Sequence, residues 1–212
     1  MPSAITGRIT AAARSFNPAS LPLMGRRSYR WEITSACFLP LAVACVEANV
    51  ISVIARKAFN ASDLAIATLA AAPALSNISS LLWTRFIRGH DRVRAVNTMQ
   101  LAAIACVAVI ALAPISPLGQ LILVLATLAA RTVLTGIITA RSDIWRANYP
   151  RSDRARVTGK ITIVAATAVG VMAVTIGAVL DAAEATGDPK NVSRAFRILY
   201  FAAAIGALIG VW

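Results

Sequence analysis

Two ionisable side chains, Glu47 and Arg131, lie deep inside otherwise apolar stretches of this sequence. Charge is expensive in hydrocarbon, so such groups pair with one another or line a cavity. A carboxylate and a guanidinium at similar depth can hold a proton or exchange partners with a charged solute. Arg131 belongs to a series spaced by four, Thr127, Arg131, Thr135 and Thr139, which one face of a helix collects. Pro73, Asn77, Ser80 and Thr84 form a similar stripe. Helix packing is the plainer reading of either stripe, because Ser and Thr in membrane helices bond their own backbone at i−4. Glu47, Arg131, Thr127, Thr135 and Asn77 are the candidate cavity and coupling residues.

Catalysis of the soluble kind has little to stand on. The one histidine, His90, sits in a basic stretch, 85–92, and reads as solvated. Cys37, Cys45 and Cys106 all fall in apolar runs and suit neither a disulfide framework nor a metal site. Nucleophile elbows, zinc-binding helices and phosphate- or dinucleotide-binding glycine loops are absent from the sequence. The expectation is a chain with no catalytic residue, metal or cofactor.

The elements that position Glu47 and Arg131 follow from composition. The chain of 212 residues is 58% hydrophobic and only 14% charged, yet holds 21 Lys and Arg against nine Asp and Glu, a formal charge of +12. With a mean hydropathy of +0.71, it is too apolar for a soluble domain and reads as an all-α polytopic membrane protein. A bilayer core of about 30 Å takes roughly 20 helical residues. Six segments reach or approach that length: 33–54, 64–83, 96–113, 118–140, 161–180 and 192–212. Residues 1–31 form a tail, either a short amphipathic helix on the inner surface or disordered.

Lys and Arg set orientation. With the N-terminus in the cytoplasm, 15 of the 21 basic residues fall inside and five outside, Arg131 being left within a span. The charge thus reads as a topology signal for a multi-pass protein of the plasma (inner) membrane rather than as a nucleic-acid surface. Span one rises from the cytoplasm and span four descends towards it, so Glu47 and Arg131 differ in depth by only several ångströms on the usual rise of about 1.5 Å per residue.

Between spans four and five the sequence runs Asn148-Tyr149-Pro150-Arg151-Ser152-Asp153-Arg154-Ala155-Arg156-Val157-Thr158-Gly159. It is similar to the Pro-x-x-x-Arg-x-x-x-x-Gly pattern of major facilitator superfamily transporters, through Pro150, Arg154 and Gly159. Pro150 would stop a helix, the arginines would sit at the anionic leaflet, and Gly159 would permit close approach where span five starts. The inner loop after span two matches the same family's Gly-x-x-x-Asp-Arg-x-Gly-Arg motif at Arg85 and Arg88, with Ser80, Thr84 and Ile87 at the remaining places. Architecture and motifs together resemble the N-terminal six-helix half of such a transporter.

That resemblance implies transport of a small solute by alternating access, with a coupling proton as one option, and a second six-helix half or a second copy as partner. The last span is short if it begins at Ile198, which reads as a chain truncated inside its sixth span, with a native half-length protein as the alternative. Two other classes stay open: a non-transporting six-span scaffold or regulatory subunit, and an intramembrane enzyme acting on lipid. For the latter, the outer acidic residues Asp181, Glu184 and Asp188 form the one loose cluster and read as solvated.

Overall fold

The computed structural model describes residues 16, 18 and 23–211. The described residues form eight helices: α1 (Leu23–Cys45), α2 (Ala48–Lys57), α3 (Asp63–Ile78), α4 (Ser80–Ile87), α5 (Arg92–Leu112), α6 (Pro117–Asn148), α7 (Arg151–Glu184) and α8 (Pro189–Leu208). Half of the starts carry a local signal. The side chains of Ser62, Asp91, Ser116 and Asp188 cap α3, α5, α6 and α8 by accepting from backbone N–H groups of the first turn. Pro117 and Pro189 occupy opening positions where a missing N–H does no harm.

Three helices, α5, α6 and α7, are individually long and apolar enough to cross a membrane. Two bent pairs qualify as well: α1 with α2, at 40°, and α3 with α4, at 42°. This gives three to five candidate spans; α8, with Lys190, Arg194 and Arg197 along it, does not meet the same criterion. The sequence reading therefore needs adjusting in its boundaries. Segments 33–54 and 64–83 are broken rods, α6 runs eight residues beyond 140, and α7 begins ten before 161. The boundary at residue 32 falls inside α1, and the expected amphipathic helix of the tail lies mostly outside the described residues.

Short connections reverse the chain from rod to rod. Counting α1 with α2 and α3 with α4 as single rods gives six. Rod one packs on rods five and six, rod four on rods two and three, and rod three on rod six. Exchanging the first three rods with the last three maps these pairs onto one another, but rods five and six also pack together whereas rods two and three do not, so the correspondence is partial.

Small residues set the closest approaches. At Gly136 in α6, a Cβ would lie 2.7 Å from both Met99 Sδ and the Trp83 ring. Trp83 is fixed there because its indole Nε1 donates to the Thr132 carbonyl at 2.8 Å. Gly136→Ala is expected to destabilise the protein by about 1–3 kcal/mol through overpacking. Gly159 behaves differently. It was expected to permit a close approach, but a Cβ there meets nothing within 4 Å. Gly159→Ala should leave the thermal midpoint of the detergent-solubilised protein unchanged or raised, through helix propensity alone. Equal midpoints for the two variants would refute the packing argument.

Candidate functional site

The first rod breaks in the middle of its apolar run. After Cys45 the backbone tightens, with Val46 N–H donating to the Val43 carbonyl and Glu47 N–H to the Ala44 carbonyl. Glu47 then adopts extended geometry (φ −64°, ψ 137°) as the residue before α2. A break of this kind strips carbonyls of their i+4 donors, and in an apolar setting each orphan needs another partner. Two distant side chains supply them. Arg131 Nε donates to the Val46 carbonyl at 2.8 Å, and the Tyr200 hydroxyl of α8 donates to the Cys45 carbonyl.

The same guanidinium reaches the carboxylate beside the break: Arg131 Nη2 lies 2.6 Å from Glu47 Oε2. The Arg131 side chain is 12% exposed and that of Glu47 37%. The pair is thus anchored on its cationic side and reachable on its anionic side. Chemically, it can release its hold if Glu47 takes a proton or if another anion competes for Arg131.

The other candidate residues separate. Thr135 hydroxyl is placed between the Arg131 carbonyl, 3.2 Å, and the Ser76 hydroxyl, 3.3 Å, tying the fourth rod to the second just below the ion pair. Thr139 bonds the Thr135 carbonyl at 2.9 Å, the ordinary backbone bond of a membrane-helix threonine. Thr127 is fully buried and its hydroxyl has no hydrogen-bond partner among the described residues, so it packs against neighbours instead of lining an open face. Asn77 is exposed. In the second rod, Thr84 bonds the Ser80 carbonyl at 2.9 Å.

The loop residues are likewise placed apart. Arg85 and Arg88 are exposed. Pro150 precedes α7 as its N-cap. Arg154 Nη2 donates to the carbonyls of Arg146, 3.1 Å, and Tyr149, 3.2 Å, and so pins the turn between the fourth and fifth rods. His90 is exposed, its Nδ1 2.8 Å from the Phe86 carbonyl and its ring stacked on Phe86. The acids Asp181 and Glu184 are less free than their sequence suggested: Lys57 Nζ bridges Asp181 at 2.9 Å and Glu184 at 2.5 Å.

A second polar group was not visible in the sequence. Arg141, counted there as inner loop charge, lies inside α6 and donates to the Ser35 hydroxyl at 2.6 Å. The Gln100 amide donates to the same oxygen at 3.4 Å. Beside them Glu32 is fully buried, facing Arg141 and the Trp145 indole, and neither carboxylate oxygen accepts a hydrogen bond among the described residues. Gln100, one of two amides (with Asn97) within the apolar run 96–113, was the signal that could have pointed here. Tyr149 closes the cluster at the turn, where burial pushes its phenol up to about 12. It therefore stays neutral at physiological pH.

Comparison with known protein families, curated proteins and solved structures finds no match to this chain.

Proposed function

We propose that the chain forms one half of a secondary transporter, moving a small solute across the plasma (inner) membrane by alternating access, with Glu47 and Arg131 as its coupling pair. The observation that carries this reading is the ion pair built on a broken apolar helix. Unwound backbone with charged side chains at membrane depth is tolerated where it lines a path for ions or solutes. The partial correspondence between the packing of the first and last three rods is in keeping with it, since internal repeats provide two arrangements of similar energy. On this reading α8 completes a sixth crossing and the N-terminus faces the cytoplasm, consistent with the 15-to-five distribution of basic residues. A second bundle, either another six-helix half or a second copy, covers the face where Glu47 is exposed. The chain is not an enzyme and works without a cofactor.

In this mechanism protonation of Glu47, or an anionic group on the solute, releases Arg131 from its carboxylate. That changes the relative energies of the inward- and outward-open states by the difference in binding to each. The test is a flux assay comparing cells that produce the native protein with cells that lack it, across a panel of labelled small solutes. A protein-dependent flux identifies the substrate class. Glu47→Gln, which keeps the side-chain shape but cannot change charge, is expected to lower that flux by about tenfold or more, the loss of roughly 1.4 kcal/mol of coupling. Its level in the membrane fraction should match that of the wild type. Wild-type flux in Glu47→Gln would remove the coupling role, and protein-independent flux for every solute would count against transport.

A further inference from the structure

The turn between α6 and α7 encloses a cavity of about 580 Å³ whose walls include Arg146, Asn148, Tyr149, Arg151, Arg154 and, from α1, Gly25. Close packing of α1 on this turn makes the cavity. A Cβ on Gly25 would sit 3.5 Å from the Tyr149 ring, and Asn148 Nδ2 donates to the Ser28 hydroxyl at 2.9 Å. One turn along α1, a second concavity is lined by Arg26, Arg27, Arg30, Trp31 and Thr34. Neither lining contains an acid, although Asp153 follows Arg151 in the first turn of α7 and Asp143 stands 3.8 Å from Arg146. Tyr149, held neutral by burial, adds no negative charge. Arg154 spends part of its donor set on two backbone carbonyls, whereas Arg146 and Arg151 are exposed.

We propose that this cavity binds the phosphate headgroup of an anionic phospholipid. Arginine presents a planar fork that matches phosphate oxygens, and the lining includes Arg151, the first residue of α7, where a helix start favours an anion. The position selects a lipid over a free anion. With 32 and 34 residues, α6 and α7 are each about 50 Å long, well beyond a hydrocarbon core of about 30 Å. Their shared turn therefore lies at headgroup level. Trp31, 46% exposed beside the arginines, is an aromatic of the kind that settles at that interface. The inference rests on membrane embedding and not on transport.

The test uses the purified full chain in neutral detergent, with thermal unfolding followed as phosphatidylglycerol or phosphatidylcholine is added to the micelles. Phosphatidylglycerol is expected to raise the midpoint saturably and phosphatidylcholine is not. Arg146→Gln/Arg151→Gln should shift the half-saturating phosphatidylglycerol fraction upward by about tenfold or more, since each arginine near an anionic surface contributes appreciably. Arg85→Gln/Arg88→Gln, an equal charge loss on the other inner turn, should leave it in place. Because Arg146 and Arg151 are exposed, their variant's lipid-free midpoint should match the wild type, which separates lost binding from lost folding. Equal weakening in both variants would mean diffuse attraction and overturn the site. Equal stabilisation by the two lipids would overturn it too. An equal effect of inorganic phosphate would reassign the cavity to a soluble anion.

Discussion

Arg131→Met is expected to unfold the protein about 5–10 °C below the wild type and to abolish any flux that depends on it. Three interactions go together in this variant: the 2.6 Å contact with Glu47, the 2.8 Å bond to the Val46 carbonyl, and the fixed bend they hold. Breaking a buried pair by removing one partner typically destabilises by 3–5 kcal/mol, because a charge stays behind without compensation. Here Glu47 is 37% exposed, so water recovers part of that loss and about 2–3 kcal/mol is the better figure, equivalent to the stated shift for a chain of this size. Arg131→Lys should fall between: the charge persists, but one ammonium cannot reproduce the planar fork that serves carboxylate and carbonyl together. In a double-mutant cycle, Glu47→Gln should offset part of the damage of Arg131→Met, since no unpaired charge remains. Additive effects, or a wild-type midpoint for Arg131→Met, would show that the pair does not hold the break.

The second large effect concerns the Glu32–Arg141 cluster. Arg141→Met is expected to leave Glu32, fully buried, without the cation that faces it, and to strip Ser35 of its 2.6 Å donor. The expected loss is about 1–3 kcal/mol, that of a buried hydrogen bond from a charged donor, seen as a reduced yield of monodisperse protein on size exclusion and a lowered midpoint. Glu32→Gln in the same chain should restore much of both, because the amide is neutral and carries its own donors. This partial rescue separates a buried carboxyl left without its partner from a generic packing defect. Exposed arginines offer the contrast: Arg85→Gln should stay within about 0.5 kcal/mol of the wild type. Full stability in Arg141→Met, or no recovery in the double variant, would contradict the arrangement.

The two clusters differ in how far the sequence exposed them. Glu47 and Arg131 each interrupt a long apolar run, and a charge in such a run stands out against its local background. Glu32 and Arg141 do not. Each lies near other charges, Arg26, Arg27 and Arg30 before the one and Asp143 and Arg146 after the other, so both read as loop polarity. In fact α1 starts at residue 23 and α6 continues to residue 148, which carries both groups into helix–helix contacts. Hydropathy locates apolar stretches, but a helix continues as far as its backbone bonds persist, and amphipathic or charged turns at its ends leave no hydropathy signal. The same limit explains why the connection between the fourth and fifth rods, which looked like a long basic loop, is only the two residues Tyr149 and Pro150.

What the sequence determined by itself is the all-helical, apolar character of the chain, the number and order of its long apolar runs, and the rarity of Glu47 and Arg131 among them. Those are properties of composition and of patterns within one or two helical turns. The tertiary structure alone decided that the first rod breaks at Val46 and Glu47. Nothing in Cys45-Val46-Glu47-Ala48 is a helix breaker, for neither proline nor glycine is present. The break persists because Arg131, 85 positions away, and Tyr200, 155 positions from Cys45, satisfy the carbonyls it exposes. Unsatisfied backbone in an apolar surrounding is too costly to survive alone, so the bend exists only once the distant donors arrive.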